Sequence, residues 1–271
     1  MAADWEPLNF DTKDWRETFI LDGEAVELIT TQLDDNIIKA QTMKGSPFAY
    51  FFLEKIQKWE TMLLQTQENL EMWLKVQSVW LYLEPVFSSD DIMHQMPKEG
   101  TKFKGVDRSW RALMTRVDNT KRALTIMEWD DIGKILNTAH ADLEEVQKGL
   151  NDYLETKRGL FPRFYFLSSD ELLEILSETK EPLRVQPHLK KCFEGIAKLE
   201  FDEEKKIHGM YSQETEHVPF TRVIDPVASK GAVEDWLLQV EEVMLKSVKE
   251  ICEKSFQDYN NPQQQREKWI T

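Results

Sequence analysis

Cysteine is nearly absent from this chain of 271 residues. Cys192 and Cys252 are the only two, too few for a disulfide framework, and a reducing, cytosolic setting is expected. Glycine and proline number 10 each and gather at joints, so long stretches run free of breakers and favour helix. No apolar run approaches the roughly 20 residues that span a bilayer. The first ten residues carry neither the basic nor the apolar part of a signal peptide. Cations are in deficit: 34 Lys+Arg face 49 Asp+Glu, a formal charge of −15. Phosphate backbones and anionic lipid both need clustered cations, so neither a nucleic acid nor a membrane is expected as partner. What the chain has is aromatic weight, 9 Trp and 14 Phe, enough for a packed core.

The patterning is mainly helical. Residues 24–43 read as an amphipathic helix ending near Gly45. Ser46-Pro47 has the form of an N-cap and first helical residue, and nothing interrupts the pattern from there to Pro85. Phe52, Ile56, Trp59 and Leu63 share one face, and Trp73 and Trp80 extend it along a helix of roughly 50 Å. Residues 88–91 should cap a short helix that stops at Pro97. Residues 100–105 read as a loop and residues 110–127 as helix. Ile132, Leu136, Ala139, Leu143, Val146, Leu150 and Tyr153 hold the spacing of a seam against another helix, and residues 47–83 are the expected antiparallel partner.

The character changes at Gly159. Residues 164–167 suit a short strand. Ser168 and Glu171 have capping-box spacing. Leu199 and Phe201, a polar turn at 202–205, and residues 207–211 read as a β-hairpin, with 218–220 as an edge strand. A last helix from Ala232 presents Val233, Leu237, Val240, Met244 and Ile251, before a polar tail at 260–265 that is expected to fray. Three segments follow: 1–158 a helical rod, 159–230 a mixed part with short strands, and 231–271 a helix with its tail.

Few patterns here carry chemistry. Gly100 and Gly105 have phosphate-loop separation, but Val106-Asp107 follow where lysine and a hydroxyl residue are needed. Metal-ligand spacings are missing. Cys192 and His188 stand four apart, yet a lone cysteine is far more often packing than nucleophile. His208 and His217 read as surface histidines near a turn. One charge feature stands out. Lys102, Lys104, Arg108, Arg111, Arg116, Lys121 and Arg122 are opposed only by Asp107, Asp118 and Glu128, a net +4 in an acidic chain. Such a patch suits docking of an acidic partner, or pairing with the protein's own acids.

Longer phrases carry a resemblance. Phe161-Pro162-Arg163-Phe164-Tyr165-Phe166-Leu167-Ser168 with the 170–176 stretch, residues 185–196, Trp73 through Pro85, and residues 42–48 resemble, in order, the linker region of dynein heavy chains. Residues 84–92 and 106–110 are similar to the axonemal (ciliary) type, and residues 149–176 to its single-headed inner-arm group. The resemblance implies a mostly α fold: an elongated arch of long antiparallel helices and short helices, with a small β-hairpin element, a minor α+β part, near the C-terminal third.

It implies a mechanical lever lying across a ring of AAA+ modules and remodelled by the ring's ATP cycle, as part of a microtubule motor of the cytoskeleton in a cilium or flagellum. Catalysis, ATP and magnesium would belong to that ring, and no cofactor to this chain. Microtubule contact would belong to a stalk outside it, and the chain reads as a piece of a longer one. Its partners would be the ring, the tail and other axonemal proteins. A bending joint is expected at Gly159, Phe161 and Pro162, where glycine and proline interrupt the heptad. A helical scaffold of the spectrin type is the competing reading, which the strand-rich stretch from 159 to 223 disfavours.

Overall fold

The computed structural model describes residues 2–177, 179 and 181–259. In chain order the elements are α1 (Ala2–Trp5), β1 (Thr12–Trp15), β2 (Thr18–Leu21), α2 (Gly23–Lys44), α3 (Leu53–Phe87), α4 (Asp90–Gln95), α5 (Pro97–Thr120) and α6 (Ala123–Met127). There follow α7 (Ile132–Leu160), α8 (Ser169–Ser177), α9 (Leu189–Cys192), β3 (Lys198–Phe201), β4 (Ile207–Tyr211), β5 (His217–Ile224) and α10 (Val233–Tyr259). The fold is mostly α with a minor β part. Among the described residues, no helix is long and apolar enough to cross a membrane. Two compact units divide the chain: residues 1–88 with 96–149, and residues 89–95 with 150 onward. The polar tail at 260–265 lies outside the described residues.

The first unit is built from helices of alternating direction. α2 runs antiparallel to α3: Lys44 pairs with Glu60 at 2.6 Å, and further along Gln67 donates to Asp34 at 3.1 Å. α3 is antiparallel to α5, because Trp80 stacks on Trp110 (5.4 Å between centroids) while Phe87 stacks on Phe103 (5.2 Å). α5 is antiparallel in turn to α7. Lys102 meets Asp142 at 3.1 Å, and Arg116 meets Asp131 at 2.7 Å.

This corrects the expected partner of the α7 seam. The seam residues from Ile132 to Leu150 are buried as predicted, with Tyr153 half-buried. The antiparallel neighbour, however, is α5. α3 meets α7 in the parallel sense, near Asn69 and Gly133, where an added Cβ would stand 2.8 Å from the Asn69 amide oxygen. Chain order explains the outcome. The short α6 segment returns the chain at once, and consecutive elements usually pack together.

Other expectations shift locally. Ser46 caps as predicted, its hydroxyl accepting from the Phe48 amide at 3.3 Å, but residues Pro47–Phe52 wind as a 3-10 helix before α3 begins. Only Ala49 of that segment is buried and Phe52 is 61% exposed, so little packing holds it to the wider α form. Residues 100–105 are helix and no loop. Pro97 opens α5, and buried Phe103, Val106 and Trp110 carry the helical periodicity straight through both glycines. The helix expected over 110–127 is broken at Lys121, whose φ is +53°, and resumes as α6. The β1–β2 hairpin was not anticipated. Its two-residue turn places Arg16 at φ +50°, without the Gly or Asn that signals such a turn.

In the second unit, residues 164–167 belong to a 3-10 helix, Pro162–Phe166, and to no strand. Pro162 fixes a helical φ, and Phe161 and Phe164, three apart, turn inward together with rings 4.9 Å apart. The β-hairpin is present. β3, β4 and β5 form an antiparallel sheet in that order, β5 along the edge. A three-stranded sheet at this point is foreign to an array of triple-helix repeats. α10 lies against the sheet: the Thr221 amide donates to the Ser247 hydroxyl at 3.0 Å. Val233, Trp236, Leu237, Val240 and Val243 are buried beneath. Met244 is half-buried and Ile251 exposed, because a 3.6-residue period carries the inner face round to Val243 and Ser247 instead.

The Ser168–Glu171 capping box forms as the spacing required. The Glu171 amide donates to the Ser168 hydroxyl (3.2 Å), and the Ser168 amide donates back to the Glu171 carboxylate (3.0 Å). Lys191, with the Ser168 amide, holds the Glu171 carboxyl down at about 2 from its ordinary 4.5. The folded value is depressed, so this contribution to stability is present above the unfolded value near 4.5. It is lost as pH falls towards about 2. Urea midpoints of the parent and Glu171→Gln should therefore converge as pH drops from 5 to 2. A constant gap would show that the carboxylate is not what holds the cap.

Candidate functional site

No catalytic constellation forms from the residues that sequence singled out. The amide of Gly100 donates to the Met96 carbonyl at 2.9 Å, so the Gly100–Gly105 stretch spends its N–H groups on helix rather than offering them to phosphate. Among the described residues no group of His, Cys, Asp and Glu could hold a metal ion. His208 meets Asp202 at 2.7 Å and His217 meets Glu200 at 2.9 Å, each histidine finding a carboxylate on the exposed sheet. Cys192 is buried, and burial pushes its thiol up to about 11 despite nearby Arg163, far from the thiolate a nucleophile needs. His188 is buried beside Glu174, 3.4 Å away.

The three joint residues occupy different environments. Gly159 is exposed in the last turn of α7, and an added Cβ would meet nothing within 4 Å. Phe161 is fully buried against Phe164 and Phe193, and Pro162 is exposed at the start of the 3-10 turn. Two arginines flank them. Arg158 pairs with Glu155 at 2.8 Å and reaches the Ser169 hydroxyl at 3.3 Å. Arg163 donates to Glu241 at 3.0 Å and to the Cys192 carbonyl at 3.0 Å.

The basic patch is thinner in space than in sequence. Lys102 is drawn to Asp142 and Glu145, Arg111 to Asp107, and Lys121 to Asp118. Arg116 pairs with Asp131 and lies over the Trp129 ring, 3.7 Å from its centroid. Lys104, Arg108 and Arg122 are exposed and carry no ion pair among the described residues.

Sequence reasoning missed the surface beside this patch. α5 and α7 diverge enough to leave an open groove of about 730 Å³, floored by Val106, Leu113, Ile135 and Ala139. Only a helix pairing known in advance would have brought the two edges together. A second unforeseen feature is the aromatic tip before α3, where Phe48, Tyr50 and Phe51 are each at least 80% exposed.

Among the described residues no side-chain arrangement identifies a reaction, and comparison with known proteins carries the classification. The family model described as "Dynein heavy chain, N-terminal region 2" matches residues 1–255. The chain is 52% identical over 270 residues to dynein axonemal heavy chain 3 of Mus musculus, covering 100% of this chain and 7% of that protein. It is 49% identical over 270 residues to dynein axonemal heavy chain 12 of Mus musculus (100% and 9%). With dynein axonemal heavy chain 1 of Mus musculus the figure is 43% over 270 residues (100% and 6%). The chain thus spans less than a tenth of the length of these relatives. With the match running over nearly its whole length, this chain belongs to the dynein heavy chain family, among relatives of the axonemal type.

Proposed function

We propose that this chain is the linker of an axonemal dynein heavy chain, a lever that passes on displacement generated elsewhere in the same polypeptide. Its place of work is the axoneme of a cilium or flagellum. ATP and magnesium belong to an AAA+ ring outside this chain, as does the microtubule site, and the ring and tail are its working partners. The observation behind this reading is the core of the first unit. α3, α5 and α7 alternate in direction; two aromatic stacks lock α3 to α5, and ion pairs tie α5 to α7. Close-packed cores of this kind transmit strain instead of absorbing it. The family match supplies the motor context.

Titration of the chain with Mg-ATP is expected to give no saturable heat. Micromolar binding would overturn the mechanical reading.

The same reading puts a joint of the lever at Gly159, Phe161 and Pro162. The helix ends there, and few residues suffice to absorb a rotation. Motion must draw Phe161 and Phe164 partly out of their packing, which makes the joint stiff and its two end states distinct. In the intact heavy chain, cysteines replacing Arg158 and Ser169, joined by a bifunctional methanethiosulfonate reagent about as long as the arginine side chain that now spans the two positions, would bridge it. The crosslink is expected to stop microtubule gliding, to spare basal ATPase and to reverse with reductant. Gliding that continues with the crosslink verified would move the joint elsewhere.

A further inference from the structure

Arg158, in the last turn of α7, is an enclosed cation short of acceptors. Its side chain is 14% exposed. A guanidinium holds five donors in one plane and keeps its charge. Nη1 donates to Glu155 at 2.8 Å. Nη2 reaches the Leu167 carbonyl at 3.4 Å and the Ser169 hydroxyl at 3.3 Å, both long bonds. Nε is buried and has no partner. Nε and Nη2 share one edge of the group, the edge that grips a carboxylate or phosphate through two parallel bonds. A buried donor left unmade is costly, so this edge favours an anionic oxygen.

The hydroxyl at that edge belongs to Ser169, the first residue of α8. Nη2 donates to it, so its oxygen already faces the cation. The positive end of the nine-residue helix adds to the same field. Acids stand close as well. Asp170 follows Ser169, and Glu155 holds Nη1. The Glu171 carboxylate is met by Lys191 at 2.6 Å and by the Ser168 amide. Among the described residues, no carboxylate bonds to the Nε–Nη2 edge.

Other serines in similar sequence are placed differently. A phosphate on Ser168 would confront the Glu171 carboxylate that closes the capping box. The chain repeats the pattern at Ser88-Ser89-Asp90-Asp91, but there the two hydroxyls donate to the carbonyls of Glu84 and Ser177. A phosphate at either would face oxygen, whereas at Ser169 it faces nitrogen. The sequence after Ser169 is acidic, with Asp170, Glu171 and then Glu174. A kinase with a basic substrate cleft reads acids placed after the acceptor. Asp170 and Glu174 are exposed, and Ser169 is half-buried in a first helical turn, where local opening is cheap.

From this arrangement we infer that Ser169 is a phosphorylation site for an acid-directed serine kinase, and that its phosphate closes on the Nε–Nη2 edge of Arg158. The Ser169 oxygen attacks the γ-phosphorus of ATP held by the kinase. The new O–P bond forms as the bond to ADP breaks, and the hydroxyl proton passes to the kinase's base. The product carries a charge of about −1.5 to −2 at neutral pH, on oxygens one bond further out than the hydroxyl. Its bond to Arg158 ties the end of α7 to the start of α8 across residues 159–168. The inference goes beyond the lever reading and stands without it.

The test uses the 271-residue chain, Mg-ATP and a kinase of the acid-directed, casein-kinase class. Tandem mass spectrometry is expected to place phosphate on Ser169. Ser169→Ala should remove it and Ser168→Ala should retain it. Phosphate found at other residues and not at Ser169, or no phosphate at all, would overturn the site. Hydrogen exchange then reads the bond to Arg158. Amides from 158 to 170 should exchange about tenfold more slowly in the phosphorylated chain, the effect of one charge-assisted hydrogen bond on local opening. Arg158→Met should abolish the slowing. Equal exchange with and without phosphate, or slowing that survives Arg158→Met, would overturn the bond. Should Arg158→Met fail to fold, the phosphorylated and unphosphorylated parent still decide between the two outcomes.

Discussion

Replacing Lys157 with methionine is expected to cost about 3–5 kcal/mol of folding stability, an effect of the size seen when one partner of a buried ion pair is removed. Lys157 donates to the Glu234 carboxylate, and their side chains are only 13% and 4% exposed. The second carboxylate oxygen of Glu234 is buried and finds no hydrogen bond, so the lysine is the charge's main compensation. Burial and the Glu234 charge both raise the pKa of the neighbouring Tyr153 phenol, keeping it neutral at physiological pH. Lys157→Met strands a carboxylate in this setting. Lys157→Met combined with Glu234→Leu removes the pair together, and is expected to recover most of the loss because neither desolvation penalty remains. Urea denaturation of the parent, both single variants and the double variant tests this. Single variants as stable as the parent would mean that water reaches the pair.

Trp80→Ala should be as costly, about 3–5 kcal/mol, because a fully buried indole leaves a void that the rigid helices on either side cannot close. Its Nε1 also donates to Asp107 at 3.1 Å. Arg111 holds the same carboxylate, so Asp107 keeps a partner and the loss should be mainly one of packing. A double-mutant cycle with Trp110→Ala isolates the stack. A coupling of about 0.5–1.5 kcal/mol is expected for aromatic rings in this arrangement. Strict additivity would show that the two rings contribute as separate bulk and not as a pair.

What was legible in the sequence follows from how local each signal is. The α7 seam, the Ser168–Glu171 box, the hairpin at 199–211 and the end of α2 near Gly45 are written within a few residues, and all four are found. The partner of α7 is a non-local fact. Its apolar spacing fits any facing helix, and the brevity of the segment through α6 decided for α5. Residues 164–167 misled because aromatic content suits a strand, whereas Pro162 and two inward phenylalanines three apart favour a helical turn. The seven cations of the patch share one short stretch of sequence. In space, helix geometry turned Lys102 and Arg116 towards α7 and left Lys104 and Arg108 outside. The groove combines residues some thirty positions apart, so no window on the chain could contain it.

The β1–β2 hairpin has a mechanical consequence. Phe10, just before it, stacks on Trp73 at 5.5 Å. At the turn Arg16 grips buried Glu84 at 2.6 Å, and at the far end the Leu21 amide donates to Gln77 at 2.9 Å. Thr12 adds a bond to Asp118 at 2.6 Å. The anchor points on α3, from residue 73 to residue 84, cover about 17 Å of helix. A pull directed along the α3 axis would meet these attachments side by side and load them in shear, rather than peeling them off one after another. A patch fastened in parallel yields only when its bonds fail together, so freeing this short ribbon from the first unit by such a pull would mean breaking the stack, the ion pair and the hydrogen bonds at once.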